Sequence, residues 1–344
     1  MSATSYAVMT KARAKFGKRL TKKDYNSLLE CQSVSDVMSY LKSNTHYSKV
    51  LSDINDRIIH RGRLEALLKQ NSFYEMASLC RYDTSLGSGF SQYIIQSIEV
   101  EQIMRFLVLL NSNSTDKFIY QFPSYFSKHT EIDINLLANI KSYDDFLKVV
   151  SHSPFFDILN EYAPDEKGRL EISVIENRLN EYVLSTFLAS IKKNSSKKEA
   201  NQLTSFFYTI NDYDIFSRIL RLKKFYNLPA EEIKKNLLTE FCDINPKVID
   251  MMCNADSSAE VFSIMQSTRN GKLIDKIGYV YASDISPRVK YRLAKNNIHF
   301  SNSPSMAMIS YMYISEIELM NIISLIEGIR YNLDRKVIEN LLIY

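Results

Sequence analysis

Ser33-Val-Ser-Asp-Val-Met-Ser-Tyr-Leu41 is the stretch around which the chain is organised, because two related versions of it follow. The second version begins at Ser142, 109 residues after Ser33, and the third begins at Ser257, a further 115 residues on. Each version opens with Ser-x-x-acid, the capping-box pattern of a helix N-terminus. Apolar residues follow four, five and eight positions after the serine, on one helical face. We therefore expect Ser33, Ser142 and Ser257 to be equivalent helix N-caps.

A second echo supports an internal triplication. Phe225-Tyr-Asn-Leu228 recurs as Arg330-Tyr-Asn-Leu333, 105 residues later, and an apolar helical stretch precedes each copy. A weaker counterpart runs from Glu99 to Leu110 and ends in Asn111-Ser-Asn113. The alternative is a chance match between ordinary amphipathic helices. Two echoes of similar period favour the triplication.

The echoes predict three helical modules, covering residues 1–115, 116–228 and 229–344. Each module is large enough to form a core of its own. The first boundary is a polar, turn-forming stretch, and the second is the Leu228-Pro229 step. The 344 residues include only 8 glycines and 7 prolines, and most apolar residues follow helical spacing. The predicted fold class is therefore all-α.

Several classes of function are disfavoured by the composition. The net charge of +4 is small and dispersed, so nucleic acid is not an expected partner. The four cysteines and five histidines show no metal-ligand or disulfide pattern. Gly87-Ser-Gly89 lacks the lysine of a phosphate-binding loop, and Glu316 and Glu318 point in different directions on a helix. We expect no catalytic, cofactor or metal site, and no enzyme.

The most apolar long window runs from Met306 to Ile326 and contains two glutamates near its middle. Isolated carboxylates are costly in lipid, so this window is interpreted as a buried or partner-facing helix. The N-terminus lacks the apolar core of a secretory signal. No transmembrane segment is expected, although the protein could still lie on a membrane complex.

Tyrosine and methionine content suggests protein partners, because the chain has 22 Tyr and 12 Met but no Trp. Tyrosine is favoured at interfaces, and methionine adapts to irregular surfaces. The alternative is that these side chains fill a helical core. The candidate interface residues, with three arginines as a polar rim, are Met306, Met308, Tyr311, Met312, Arg57, Arg61 and Arg63.

Two terminal motifs resemble a known family. The N-terminal motif consists of Tyr6-Ala7, Ala12-x-Ala14 and Leu20-Thr21-x-x-Asp24-x-x-x-Leu28-Leu29. The C-terminal motif is Glu318-x-x-Asn321-Ile322-x-x-Leu325-x-x-Gly328-x-x-x-x-Leu333. Together they resemble the central-stalk component of V-type and A-type ATPases that is known as the C subunit in prokaryotes and the d subunit in eukaryotes. Ile329 and Asn332 depart from the family pattern, which often has a basic residue and a glycine there.

The resemblance implies three similar helical domains in a pseudo-threefold funnel. It implies a non-catalytic rotor subunit that links central-shaft subunits to the membrane proteolipid ring, on the cytoplasmic face of the membrane. ATP hydrolysis or synthesis would thereby be coupled to transport of H⁺ or Na⁺. The alternative is a helical scaffold or adaptor of another assembly with a similar repeat architecture.

Overall fold

The computed structural model describes residues 3–54, 59–83, 85–112, 114–118, 123–137, 139–165, 168–278 and 281–344. These residues form helices and connecting segments, with no β-strand among them, which confirms the predicted all-α class. The α-helices are α1 (Ala3–Phe16), α2 (Lys22–Leu28), α3 (Val34–Asn44), α4 (Ser48–Leu51), α5 (Arg61–Cys80), α6 (Gly87–Asn111), α7 (Ile134–Leu137), α8 (Tyr143–Val149), α9 (Phe156–Glu161), α10 (Ile172–Asn194), α11 (Lys197–Arg221), α12 (Ala230–Lys235), α13 (Pro246–Asn254), α14 (Ser258–Ser267), α15 (Ile285–Phe300), α16 (Pro304–Arg330) and α17 (Arg335–Leu341). A π-helix, Leu222–Tyr226, continues α11.

The three repeat helices α3, α8 and α14 begin at the predicted serines. The backbone N–H three residues on donates to the serine hydroxyl, over 3.1 Å at Ser33 and 3.2 Å at both Ser142 and Ser257. Each serine has an extended backbone, as an N-cap requires. The three serines are thus helix N-caps.

The acidic residues three positions after these serines do not follow the capping-box pattern, in which the acid accepts the N–H of the cap residue itself. Asp36 accepts the backbone N–H of Gln32 over 3.2 Å, and Glu260 accepts that of Asp256 over 2.8 Å. In both cases the donor is the residue before the serine. A complete reciprocal capping box occurs instead at Thr21, where Asp24 accepts the threonine's own N–H over 2.7 Å.

Each repeat helix lies in a separate hydrophobic core. The first peripheral core joins α2, α3, α4 and α5 to the second half of α16 and to α17. The second joins the end of α6 to α7, α8, α9 and the start of α10. The third joins the end of α11 to α12, α13, α14 and the start of α15. The apolar spacing in the three repeats therefore serves the same packing role three times.

A central core connects these three units. It contains α1, the second halves of α5, α10 and α15, and the first halves of α6, α11 and α16. Each of these six long helices thus gives one half to the central core and the other half to a peripheral core. Burying both halves of a helix in continuous apolar packing makes it a stiff element.

The peripheral cores cross the predicted module boundaries. Side chains on both sides of residues 115/116 share the second core, and side chains on both sides of residues 228/229 share the third. The first core is closed by helices from the C-terminal end of the chain. The boundaries of the three modules stay a prediction.

The second sequence echo corresponds to a shared helix ending. Asn227 and Asn332 have positive φ angles of 49° and 51°, the left-handed conformation that ends many helices. At the second site, Leu333 N–H donates to the Gly328 carbonyl over 2.9 Å, as in a Schellman motif. The weaker counterpart has a similar bond, from Ser114 N–H to the Leu109 carbonyl over 2.8 Å. Two of the three apolar stretches therefore end with similar backbone hydrogen bonds, whereas Leu228 N–H donates to the Leu222 carbonyl, six positions back, over 3.5 Å.

Candidate functional site

A central cavity of about 740 Å³ lies between α6, α10, α11, α15 and α16. Its wall combines aromatic, amide, hydroxyl and charged side chains. Those used below are Tyr93, Asn177, Asn180, Phe207, Asp214, Arg218, Arg221, Lys224, Phe225, Ser286, Lys290 and Tyr313. The helices around the cavity include members of all three peripheral cores.

One part of the wall is aromatic and neutral. The Tyr93 ring lies 4.6 Å from that of Phe187, and the Phe207 ring lies 6.4 Å from that of Tyr313. Burial raises the pKa of Tyr93 to about 12 and raises the pKa of Tyr313 well above its ordinary value. Both phenols therefore remain protonated near neutral pH. This part of the wall offers packing surface and no ionised group.

Another part of the wall is charged and internally paired. Lys290 Nζ lies 2.9 Å from Asp214 Oδ2, and the Ser286 hydroxyl donates to Asp214 Oδ1 over 2.5 Å. Arg218 donates to the Asn177 side chain and, over 3.0 Å, to the Asn236 carbonyl. These contacts tie α11 to α10, α15 and the segment after α12. They fix the spacing of the cavity walls.

The cavity edge is basic. Arg221 and Lys224 are exposed lining residues, and the Lys224 ammonium lies 5.4 Å from the centre of the exposed Phe225 ring. Asp214 is the single carboxylate among the described lining residues, and it is paired with Lys290. This edge is suited to a partner that carries carboxylates.

A buried ion network lies at the junction of α1, α5 and α16. The Arg19 guanidinium donates to Glu318 Oε1 over 2.9 Å and to Glu75 Oε2 over 2.8 Å. Tyr311 hydroxyl donates to Glu75 over 2.6 Å, and Tyr47 hydroxyl donates to Glu318 over 2.9 Å. These hydrogen bonds compensate much of the buried charge, as stable buried ion pairs require, although the buried Arg19 Nε atom has no hydrogen-bond partner among the described residues. The network links distant segments of the chain.

The C-terminal motif is also structural. Asn321 donates to the Ile343 carbonyl over 2.7 Å and accepts the Ile343 N–H over 2.9 Å. Its side-chain amide also donates to the Tyr25 hydroxyl over 3.0 Å. A Cβ on Gly328 would lie 2.5 Å from Ile338 Cγ1, so the glycine permits the close approach of α17. These residues hold the two chain ends together in the first peripheral core.

The four predicted interface residues on α16 are core residues. Met308 and Tyr311 are fully buried, and Met306 and Met312 are 5% exposed. All four lie in the central core. The expectation of an exposed surface here is corrected, because α16 packs against α1, α5 and α15 over this length. The alternative interpretation, core filling, describes these side chains.

Two of the three predicted rim arginines lie among the described residues, and their surroundings differ. Arg61 pairs with Glu327, with Nε 2.5 Å from Oε1, and lies 3.5 Å from Glu65. Arg63 is exposed, and Arg57 lies outside the described residues. Sequence reasoning missed Arg19, which directly precedes the Leu20-Thr21 motif. Its position two residues before the helix cap Thr21 was the available signal.

The described residues contain no cluster of three His, Cys, Asp or Glu side chains that could hold a metal ion. Cys31, Cys80, Cys242 and Cys253 are free thiols. Helix α16 is long and apolar enough to cross a membrane, but 72% of its apolar window is buried inside the protein. Its packing accounts for its apolar composition.

These features define an all-helical protein in which three peripheral hydrophobic cores join a central one, with a cavity between α6, α10, α11, α15 and α16. The family model described as "ATP synthase (C/AC39) subunit" matches residues 8–341, and the chain belongs to that family. The chain is similar to the C subunit of the A-type ATP synthase of Methanosphaera stadtmanae, with 23% identity over 268 residues. The match covers 77% of this chain and 66% of that protein, just under two thirds. The family belongs to a membrane-associated rotary complex, and its members are not the catalytic subunits.

Proposed function

We propose that this protein is the non-catalytic rotor subunit that couples the central shaft of a V-type or A-type ATPase to the membrane proteolipid ring. ATP hydrolysis or synthesis would then be linked to transport of H⁺ or Na⁺. The proposal includes a pseudo-threefold funnel of three helical modules on the cytoplasmic face of the membrane. Family membership and the central cavity support it.

The single observation that carries the proposal is the position of the cavity. It is lined by side chains of the second and third peripheral cores, such as Val183 and Ile215, and by Tyr313 of the central core. A shaft tip held there would contact two peripheral units and the central core at once, so torque about the shaft would be shared among them. The aromatic wall would supply packing area, and the basic edge formed by Arg221 and Lys224 would contact acidic groups on the shaft.

Transmission of torque also requires stiffness between the cavity and the opposite partner. The long helices are buried along both halves, and the Arg19–Glu318 network locks α16 to the N-terminal segment. A coupling of this kind needs broad contact surfaces and no catalytic group. The proteolipid ring, the proposed second partner, would supply the ion selectivity.

The test is site-specific cross-linking in the intact membrane complex. Asn180→Cys places a thiol on an exposed residue of the cavity wall, and Ala189→Cys places one on an exposed residue of the same helix, about 180° around its axis from Asn180. A photoreactive maleimide on Asn180→Cys should capture a shaft subunit, while Ala189→Cys and the parent chain should not. Capture of other neighbours would favour the alternative, a scaffold of a different assembly.

A rotor role makes a further demand on this experiment. If the subunit and the shaft turn together, a covalent bond between them leaves ATP-driven ion transport largely intact. Transport is therefore expected to persist in complexes linked through Asn180→Cys. Loss of transport in those complexes, with normal transport in the Ala189→Cys control, would contradict the rotor assignment.

A further inference from the structure

Phe300, the last residue of α15, is 77% exposed, more than any other large apolar side chain among the described residues. Its surroundings are ordered by hydrogen bonds. The Arg13 guanidinium donates to the carbonyls of Ile298, His299 and Ser301 over 2.7, 3.2 and 2.8 Å. One side chain thus fixes the backbone on both sides of Phe300. The exposed ring therefore lies at a helix end whose backbone is fixed by these hydrogen bonds.

Two grooves meet at this ring. The first groove, about 550 Å³, is lined by Leu273, Ile277, Tyr291, Lys295, His299 and Phe300, among others. The second groove, about 540 Å³, is lined by Gln202, Phe206, Leu293, Asn297, Phe300 and Met306, among others. Phe300 and the half-buried Leu293 line both grooves, so the two grooves adjoin at these residues. The surface therefore combines one projecting ring with two neighbouring concave apolar sites.

The described lining of this surface is basic. Arg292 and Lys295 line the first groove, and neither groove has a carboxylate among its described lining residues. The Lys295 ammonium lies 5.2 Å from the centre of the Tyr291 ring and is exposed. A partner with apolar side chains and adjacent carboxylates would match this pattern.

The surface is separate from the central cavity. On α15, Ser286 and Lys290 line the cavity, whereas Lys295 and His299 line the first groove. Helical spacing places His299 about 180° around the axis from Lys290. A partner at Phe300 would therefore approach the other side of α15 from a partner in the cavity.

We propose that the two grooves and Phe300 form a docking site for an acidic amphipathic helix of another polypeptide. The apolar face of that helix would pack around the Phe300 ring with its i, i+3, i+4 and i+7 side chains. Its carboxylates would lie near the exposed ammonium of Lys295. Concave grooves next to the ring favour a polypeptide, because apolar side chains can fill them, whereas a lipid surface would contact the projecting ring alone.

The docking site goes beyond the proposed coupling function, because it adds a contact outside the cavity. Its test uses the intact complex in native membranes, with a photoreactive amino acid in place of Asn296, an exposed residue of the first groove. The cross-linked peptide is then sequenced. We expect a segment with an apolar helical face flanked by acidic residues.

Two substitutions and their matched controls test the recognition. Phe300→Ser and Lys295→Glu should each lower the yield of this cross-link about fivefold or more, since both the ring and the charge contribute. Met251→Ser and Lys247→Glu change exposed residues of α13 outside both grooves and should leave the yield unchanged.

Three outcomes would overturn the docking proposal. The probe could cross-link to lipid, to a second copy of this chain or to a basic segment. Alternatively, neither substitution could lower the cross-link yield. Absence of any cross-link above that from the same probe at Met251 would also overturn it. The cavity experiment with Asn180→Cys reports on the coupling function separately, so the two proposals can fail independently.

Discussion

Arg19 and Glu318 are 299 positions apart in the chain, and their side chains are joined by a buried hydrogen bond of 2.9 Å. Glu318 also accepts the backbone N–H of Leu20 over 2.7 Å. This carboxylate therefore attaches the segment after α1 to the middle of α16. Burial disfavours the charged form of Arg19, but the charges of Glu318 and Glu75 favour it, and the net pKa of Arg19 is raised.

Glu318→Gln is expected to destabilise the protein by about 3 kcal/mol, because it removes one partner of a buried ion pair and leaves Arg19 incompletely neutralised. Chemical denaturation of the purified protein measures this change. Glu161→Gln, at the end of α9, is the control and should have a much smaller effect, since Glu161 is exposed. Equal loss of stability in both variants would contradict the role assigned to the network.

Gly328→Ala is expected to cost about 2 kcal/mol, because the added Cβ would meet Ile338 side-chain carbons at 2.5 and 2.7 Å. Ile338→Ala removes those carbons, so the double variant should lose less stability than the two single losses added together. Thermal unfolding of the four proteins provides the comparison. Gly62→Ala, with no atom within 4 Å of the added carbon, is expected to be neutral or slightly stabilising.

Asn227→Ala and Asn332→Ala should each destabilise the protein by about 1 kcal/mol, since alanine tolerates the left-handed backbone poorly. Asn227→Gly and Asn332→Gly should be neutral or stabilising, because glycine adopts positive φ freely. Similar values at the two sites would agree with their shared role at the ends of α16 and of the π-helix after α11. A loss of stability in the glycine variants would show that the asparagine side chains matter more than their backbone conformation.

Glu316 should make stability depend on pH. Part of its side chain reaches solvent, but the surrounding protein removes water from the carboxyl and raises its pKa to about 7, while Lys290 opposes this shift. The folded state thus holds this proton more tightly than the unfolded state does. The stabilising contribution is full below the ordinary pKa of the carboxyl and is lost as pH rises towards 7.

Comparison with Glu316→Gln isolates this effect. The stability of the wild type relative to the variant should fall as pH rises from about 4.5 to 7. Denaturation at a series of pH values measures the difference, and NMR titration of the carboxyl carbon gives the pKa directly. A wild-type stability that rises relative to the variant over this interval would contradict the assigned direction.

Local features of the fold were predictable from the sequence because they depend on neighbouring residues. The three serines cap their helices with hydrogen bonds that span three positions, and the Tyr-Asn-Leu echoes mark two left-handed helix ends. The apolar spacing after each serine correctly placed buried side chains such as Val37, Phe146 and Val261. Each of these features requires only short-range geometry and one apolar face.

The candidate site was harder to predict from local sequence patterns. Helical spacing and composition describe Met308 and Tyr311 equally well as a partner surface or as a core, because they do not specify which helices pack around α16. The cavity wall is similar in this respect, since Tyr93, Asp214 and Lys290 lie on three helices that only the fold brings together. Their pattern in sequence carries no signal of that proximity.

By itself, the sequence determined the helical class, the repeated caps and the family motifs at both ends of the chain. Only the tertiary structure decided that Glu318 and Asn321 bind the N-terminal segment, and that the C-terminal helices close the first peripheral core. The physical reason is the range of the interactions. Caps and helical faces are fixed within a few residues, whereas burial and ion pairing depend on which distant segments exclude water from one another.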